Sequence, residues 1–387
     1  MKLINPEALK EWAGILLNHS LGGIKPGERV MVKGEAACWE LIAELERQII
    51  VAGGIPDIYM VPPNNERGRV WSATMGHLGT DEQLAAIPEW HMARYQSMDK
   101  YIEVLGTEDP TQFGFMAPDK TMRLAKADRP FTNIRVAKPW ILTLFPTKHG
   151  AEFEGFETMS QYVNFLVKAS TSDPAVVKEA EDKLAPIFQQ AKVMTLHTKA
   201  PSGNHYTLNI DLGNTLAQKC CGERNWPDGE IFRSPDPRHT DGEIFLDLPV
   251  FHQGNTIRGI YLKFQDGIVC GFSAVEGGET LRSIIETDAG SHRLGEAALG
   301  MNPGLTRVLK EPLYVEKVGG TAHIALGQSY EECFPDMEAA KKDGTFNDSA
   351  RHVDLVVDFR DGGAGTELWL DETLLMVKDG IWTVDKK

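Results

Sequence analysis

The chain has 387 residues, enough for two domains or one large domain with an elaboration. Apolar residues make up 42% and charged residues 25%, the balance of a globular protein able to bury a real core. A net charge of −15 argues against the basic stripes that nucleic acid and anionic membranes demand, so neither is expected as a partner, whereas bound cations could neutralise part of the excess carboxylate.

The five cysteines are Cys38, Cys220, Cys221, Cys270 and Cys333; their number is odd, two are adjacent and none lies in a CxxC pair. Reduced thiols fit this pattern better than a disulfide framework or a zinc finger, which points to the cytoplasm. The opening MKLINPEALKEWAGILLNHS carries Glu7, Lys10 and Glu11 where a signal peptide needs an apolar run, and no window is long enough for a membrane span.

Residues 6–20 predict a helix with Pro6 in its first turn and Leu9, Trp12, Ala13, Leu16 and Leu17 on one stripe. A β-rich run around Val30–Val32 follows, then a helix with Leu41, Ile42, Leu45 and Ile49 inward and Gly53 and Gly54 as its stop, then the strand IPDIYMV. Strand, helix, strand in that order implies a right-handed crossover and a parallel α/β sheet. Neither GxGxxG nor GxxxxGK[ST] occurs here, so no nucleotide site is assigned. Residues 63–110 are irregular and polar with at least one helix, and could shape an entrance or a dimer contact. KYIEVLG reads as a strand, and RLAKADRPFTNIRVAKPWILTLFPT as a helix end, a loop and a strand over Trp140–Leu144. Asp173–Pro174 opens a helix that Pro186 should kink or restart.

Beyond about residue 190 the pattern changes to short alternating runs punctuated by Gly and Asn turns, the mark of antiparallel sheet. One helix, GETLRSIIETD, runs on towards HRLGEAALG. The expected architecture is therefore an α/β N-terminal domain with a parallel sheet (1–190) plus a β-rich (α+β) C-terminal domain (191–387).

The chemistry concentrates in this second half. His352 and Asp354 are two apart, so on a strand they point the same way, with Val353, Leu355 and Val357 on the other face. Imidazole and carboxylate are the usual ligands of a divalent metal. Glu230, Glu296, Glu316, His323 and Tyr330 also stand beside Gly-rich turns. Singly each has an ordinary reading: Glu230 as a turn acid, Glu296 as a solvated helix residue, Glu316 with Lys317 as a surface pair, His323 as a core histidine, Tyr330 as packing.

PDGE, LGE, HIALG with a tyrosine seven residues past the histidine, and HxD, in this order, together resemble the aminopeptidase T family of metallopeptidases, as does the opening LLNHSLGGIKPGERVMV. The resemblance spans nearly the whole chain. It implies an α/β domain followed by a β-rich catalytic domain, and a homodimer that encloses its active sites. It also implies a two-metal centre ligated by Glu230, Glu296, His323, His352 and Asp354, with Tyr330 as the active-site tyrosine; we take Glu296 as the carboxylate that would bridge the two ions. The family's Asp-Glu-Asn before HIALG reads VEKVGGTAH here, which makes Glu316 the equivalent acid only if two residues are looped out. Two divalent ions (Zn, Co or Mn) would activate a water for attack on a peptide with a free N-terminus, Glu316 would move the proton, and Tyr330 would hydrogen-bond the oxyanion. The alternatives are a mononuclear non-haem Fe(II) ring-cleaving dioxygenase related to dihydroxypyridine dioxygenases, built on His323, His352 and Asp354, and a non-catalytic binding protein. A single iron has no need of Glu230 and Glu296.

Overall fold

The computed structural model describes residues 3–61, 71–106, 118–252 and 254–384. Parts of the irregular 63–110 region therefore lie outside the described residues; the remainder holds three short helices, Ala73–Leu78, Asp81–Ala85 and Glu89–Ser97.

The chain divides into two compact units, Met1–Ser172 with Gly222–Pro227, and Asp173–Cys221 with Asp228–Lys387. In the first, strands Ile55–Val61, Arg29–Glu35, Lys100–Leu105 and Trp140–Leu144 pair in parallel in that order, and the two-residue strand Asn225–Trp226 adds to the last. Val30, Val32, Ile102 and Ile141 bury against helices Pro6–Gly14 and Trp39–Val51 on one face. Met31, Tyr101 and Leu142 bury with Tyr95 and Phe131 on the other. A parallel sheet needs that cover on both sides. Asn225–Trp226 is fixed by polar contacts in the core: Trp226 Nε1 donates to Ser170 O (2.7 Å), and Thr143 Oγ1 donates to Trp226 O (2.8 Å).

The stretch read as a helix end and a loop before Trp140 is helical up to Val136: Pro130 lies within a helix over Pro118–Val136, where burial of Leu124 and Phe131 outweighs the local cost of proline. Pro186 likewise sits inside the single helix Pro174–Gln190. That helix accounts for the position of the boundary. Ala180, Leu184 and Phe188 pack into the core of the β-rich unit, so the second unit starts at Asp173 and not at the change of strand pattern near residue 190.

The second unit contains a nine-stranded sheet and a five-stranded sheet. The latter is antiparallel throughout, in the order His352–Asp358, Thr321–Gly327, Leu294–Gly300, Glu230–Arg233, Gln218–Cys220. LGEAALG, expected near the end of a helix, is one of its central strands, because the helix closes at Ile285. Ile231, Leu299, Ile324, Leu326, Val353, Leu355 and Val357 face the main core, where they meet Met194, Leu208, Ile210 and Leu262 from the larger sheet.

Arg233 ties the helix to the small sheet. It is 1% exposed and donates to the carbonyls of Phe188 (2.8 Å), Ala191 (2.8 Å), Leu212 (3.1 Å) and Gly213 (3.1 Å). A guanidinium at the last turn satisfies carbonyls left without intrahelical donors and opposes the negative end of the helix. Arg233→Met should therefore lower the unfolding free energy by roughly 3 kcal/mol in urea titration, since several buried acceptors lose their donor at once. A change under about 0.5 kcal/mol, the range of an ordinary surface substitution, would show that these bonds are not what holds the helix.

Candidate metal centre

Register alone gathers the acids and imidazoles. His323 pairs with Ala298, which pairs with Phe232; Glu296 pairs with Ala325, which pairs with Asp354; Gly327 pairs with His352, and Gly300 with Glu230. Cross-strand partners share a face, so Glu230, Glu296, His323, His352 and Asp354 all project from the side of the small sheet opposite the main core. The positions between them are Ala298, Gly300, Ala325 and Gly327, which leaves room above the strands. The glycines are obligatory: a Cβ on Gly300 would lie 2.2 Å from Val318 O, and one on Gly327 (φ 106°) 2.1 Å from Arg351 O. A bulge between Leu294 and Glu296 turns Glu296 onto this face.

The resulting cluster is tight. His352 Nε2 lies 2.9 Å from Glu296 Oε2 and 3.3 Å from Asp354 Oδ1. Its Nδ1 is 2.8 Å from Gln328 O, so the Nδ1-protonated ring donates to that carbonyl and aims Nε2 at the acids. His323 Nε2 is 3.6 Å from Glu230 Oε2 and 3.7 Å from Glu296 Oε1, too far for hydrogen bonds. Glu316 ends the helical turn Pro312–Val315, and its neighbour Lys317 is not at the surface. Lys317 is 2% exposed, contacts the carboxylate of Glu230, and lies 2.9 Å from Glu316 Oε1 and 3.8 Å from Asp228 Oδ1. Tyr330 follows the His323 strand; its ring packs edge-on to His352 (4.8 Å) and against Phe232 (4.9 Å), while its N–H donates to Ser234 Oγ.

The electrostatics follow from this crowding. Burial favours the neutral form of His323, but Glu296, Glu230 and Asp354 outweigh it and push the imidazole up to about 9. His352 is raised well above the ordinary imidazole value against the same burial, chiefly by Asp354 and then Glu296. Burial opposes ionisation of Asp354 and Glu296 too, yet their histidine neighbours hold both below the usual carboxylate range. Glu316 goes the other way: burial, with Asp354 and Glu230 nearby, raises it well above that range despite Lys317. Burial and the surrounding carboxylates also keep the Tyr330 phenol protonated.

These residues fit a divalent metal. Both ring nitrogens of His323 and Oε2 of Glu230 are buried without a hydrogen-bond partner, an expensive state that a cation taking the Nε2 lone pair together with that oxygen would relieve in large part. Two triads bring ligand atoms within 4.8 Å of one another: Glu296, His323 and Asp354, and Glu230, Glu316 and His323. All six acids and imidazoles singled out in the sequence thus stand in one cluster, with Tyr330 at its edge. Lys317, Asp228 and Gln328 were not picked out. Asp228 was visible in PDGE and Lys317 beside Glu316, but nothing in their spacing showed that either was buried.

The sequence pattern of the thermophilic metalloproteases (M29) matches residues 5–382. Aminopeptidase T of Thermus thermophilus is 28% identical over 321 residues, covering 72% of this chain and 76% of that protein. Aminopeptidase PepS of Streptococcus thermophilus is 26% identical over 392 aligned positions, covering 91% and 92%. Among solved structures, wild-type AmpT from Thermus thermophilus aligns with a TM-score of 0.75 at 22% identity, over 98% of this chain and 99% of that one. The 2,5-dihydroxypyridine dioxygenase of Pseudomonas putida KT2440 aligns at 0.54 and 12% identity, over 98% of each chain. Both structural likenesses concern the fold. The match to the family pattern runs through every strand of the five-stranded sheet, and the chain belongs to the M29 family of thermophilic metalloproteases.

Proposed function

We propose that this metal-dependent aminopeptidase removes N-terminal residues from peptides by means of two divalent ions held on the open face of the five-stranded sheet. The observation that carries the reading is His323, whose two ring nitrogens are buried without partners while the carboxylates of Glu230 and Glu296 stand 3.6 and 3.7 Å from Nε2. Glu296, Asp354 and His352 would hold one ion and Glu230 the other, with His323 within reach of both and Glu316 beside the second. Zn, Co or Mn bound there supplies Lewis acidity, which activates water and polarises the scissile carbonyl at neutral pH.

The chain's own groups supply the rest. Glu316, raised by burial, is suited to accept a proton and return it to the leaving amine, a contribution of roughly 10²–10⁴ in rate. Tyr330, fixed between His352 and Phe232 and kept protonated, donates to the developing oxyanion. A carboxylate of the cluster is available to pair with the substrate's α-ammonium. The dioxygenase alternative would use His323, His352 and Asp354 but gives no work to Glu230 and Glu296, the two acids nearest His323 Nε2. The five free thiols suit the cytoplasm, and a homodimer is the arrangement that the family resemblance implies. No described helix is long and apolar enough to cross a membrane.

Glu296→Gln should keep the fold, lower bound metal measured by mass spectrometry, and cut kcat/KM for a free-amine dipeptide at least ~100-fold, the range expected when metal ligation is disturbed. Full activity with undiminished metal content would remove Glu296 from the centre. Tyr330→Phe should lower kcat about 10²–10³-fold with KM little changed, as loss of an oxyanion donor does; a raised KM at unchanged kcat would make Tyr330 a binding residue. In chelator-stripped protein, His323 is raised from 6.5 to about 9, so its stabilising charge is fully present below pH 6.5 and is lost as pH rises through 9. The melting temperature of stripped protein should accordingly fall between pH 6.5 and 9, and His323→Gln should flatten that fall.

A further inference from the structure

Lys317 occupies an unusual position for a lysine. Its main chain is pinned between two elements: its N–H donates to Tyr314 O (3.1 Å) and its carbonyl accepts from Asn302 N (3.0 Å). The turn that follows is built, not loose. A Cβ on Gly319 would lie 2.1 Å from Gly380 O, and Gly320 adopts φ 88°. The side chain is therefore delivered into the cluster, where its ammonium meets the carboxylates of Glu230, Glu316 and Asp228 with almost no exposure to solvent. Two of those three acids belong to one of the two triads that could hold a cation.

The two triads consequently differ in the cation already beside them. Glu296 and Asp354 offer a divalent ion two carboxylates whose neighbouring cations are imidazoles, groups that can give up a proton and become ligands themselves. Glu230 and Glu316 also offer two, but one positive charge already sits between them. Buried, a single unit charge at this range changes the affinity for a divalent ion by orders of magnitude. We propose that the Lys317 ammonium is a resident cation at the Glu230–Glu316 end of the centre, so that the chain binds one divalent ion tightly and admits a second only by weakening or displacing this lysine. The inference rests on the two-ion reading above and gives that reading an order: the Glu296–Asp354 position fills first. Asp228, 3.8 Å away, is the carboxylate left to receive the ammonium when the second ion enters.

The test is equilibrium dialysis of chelator-stripped, full-length protein against Zn²⁺, with metal counted per chain by mass spectrometry. Wild type should fill in two steps, the second Kd at least about 100-fold above the first. Lys317→Met should draw the second step towards the first by a similar factor, and Lys317→Arg, which keeps the charge, should retain the wide separation. Wild type that takes up two ions with equal affinity overturns the proposal, as does a folded Lys317→Met protein with an unchanged gap. Should Lys317→Met fail to fold, the wild-type isotherm decides by itself. Uptake of no ion at all is a separate result: it removes the metal-centre reading, and this inference with it.

Discussion

Carboxylates that share a buried pocket repel one another and lose their hydration, and the fold can keep them charged only by placing cations among them. Asp228, Glu230 and Glu296 are all nearly inaccessible, and Glu316 and Asp354 reach into the same cluster. Two imidazoles and one ammonium supply part of the answer, and both histidines are driven strongly towards the charged form by their acid neighbours. What remains unanswered is local and specific: His323 has two unpartnered ring nitrogens, and Glu230 an unpartnered oxygen 3.6 Å from Nε2. In the proposed reading a divalent ion takes the lone pair of Nε2 together with that oxygen, and most of the proposed chemistry follows from it.

The five-stranded sheet meets the requirement by segregating its two faces. One face is aliphatic and seals the main core; the other alternates acids and imidazoles with alanine and glycine, so the candidate ligands stand over a floor of minimal height. Glu230, Glu296, His323, His352 and Asp354 thus each come from a strand fixed on its back by packing, which gives the candidate ligands a rigid geometry. The neighbouring cluster of Phe232, Phe334 and Phe346, with the Tyr330 ring, walls one side of this face. It also covers one side of the Tyr330 ring, which is only partly buried.

Much of this was legible in the sequence, for identifiable reasons. The period-two placement of His352 and Asp354 against Val353, Leu355 and Val357 encodes their common face directly, and the order of the four short motifs carries the family. The parallel first sheet was legible from strand, helix and strand with their Gly stops. Other features are tertiary in origin. LGEAALG reads equally well as helix or strand because its alanines and glycines carry little periodicity, and pairing on both sides decides it. Pro130 and Pro186 signal breaks that burial of Phe131 and Phe188 overrides. A lysine beside a glutamate looks like a surface pair in any sequence, and only the packing of the Glu316–Lys317 segment against Asn302 shows that Lys317 points inward.

The most direct measurement is anomalous diffraction at the absorption edge of the metal, from crystals of the full chain grown with Zn²⁺ or Mn²⁺. A metal peak coordinated by Glu296, His323 and Asp354 is the predicted result. Anomalous density confined to other parts of the molecule, with His323 still unpartnered, would contradict the account.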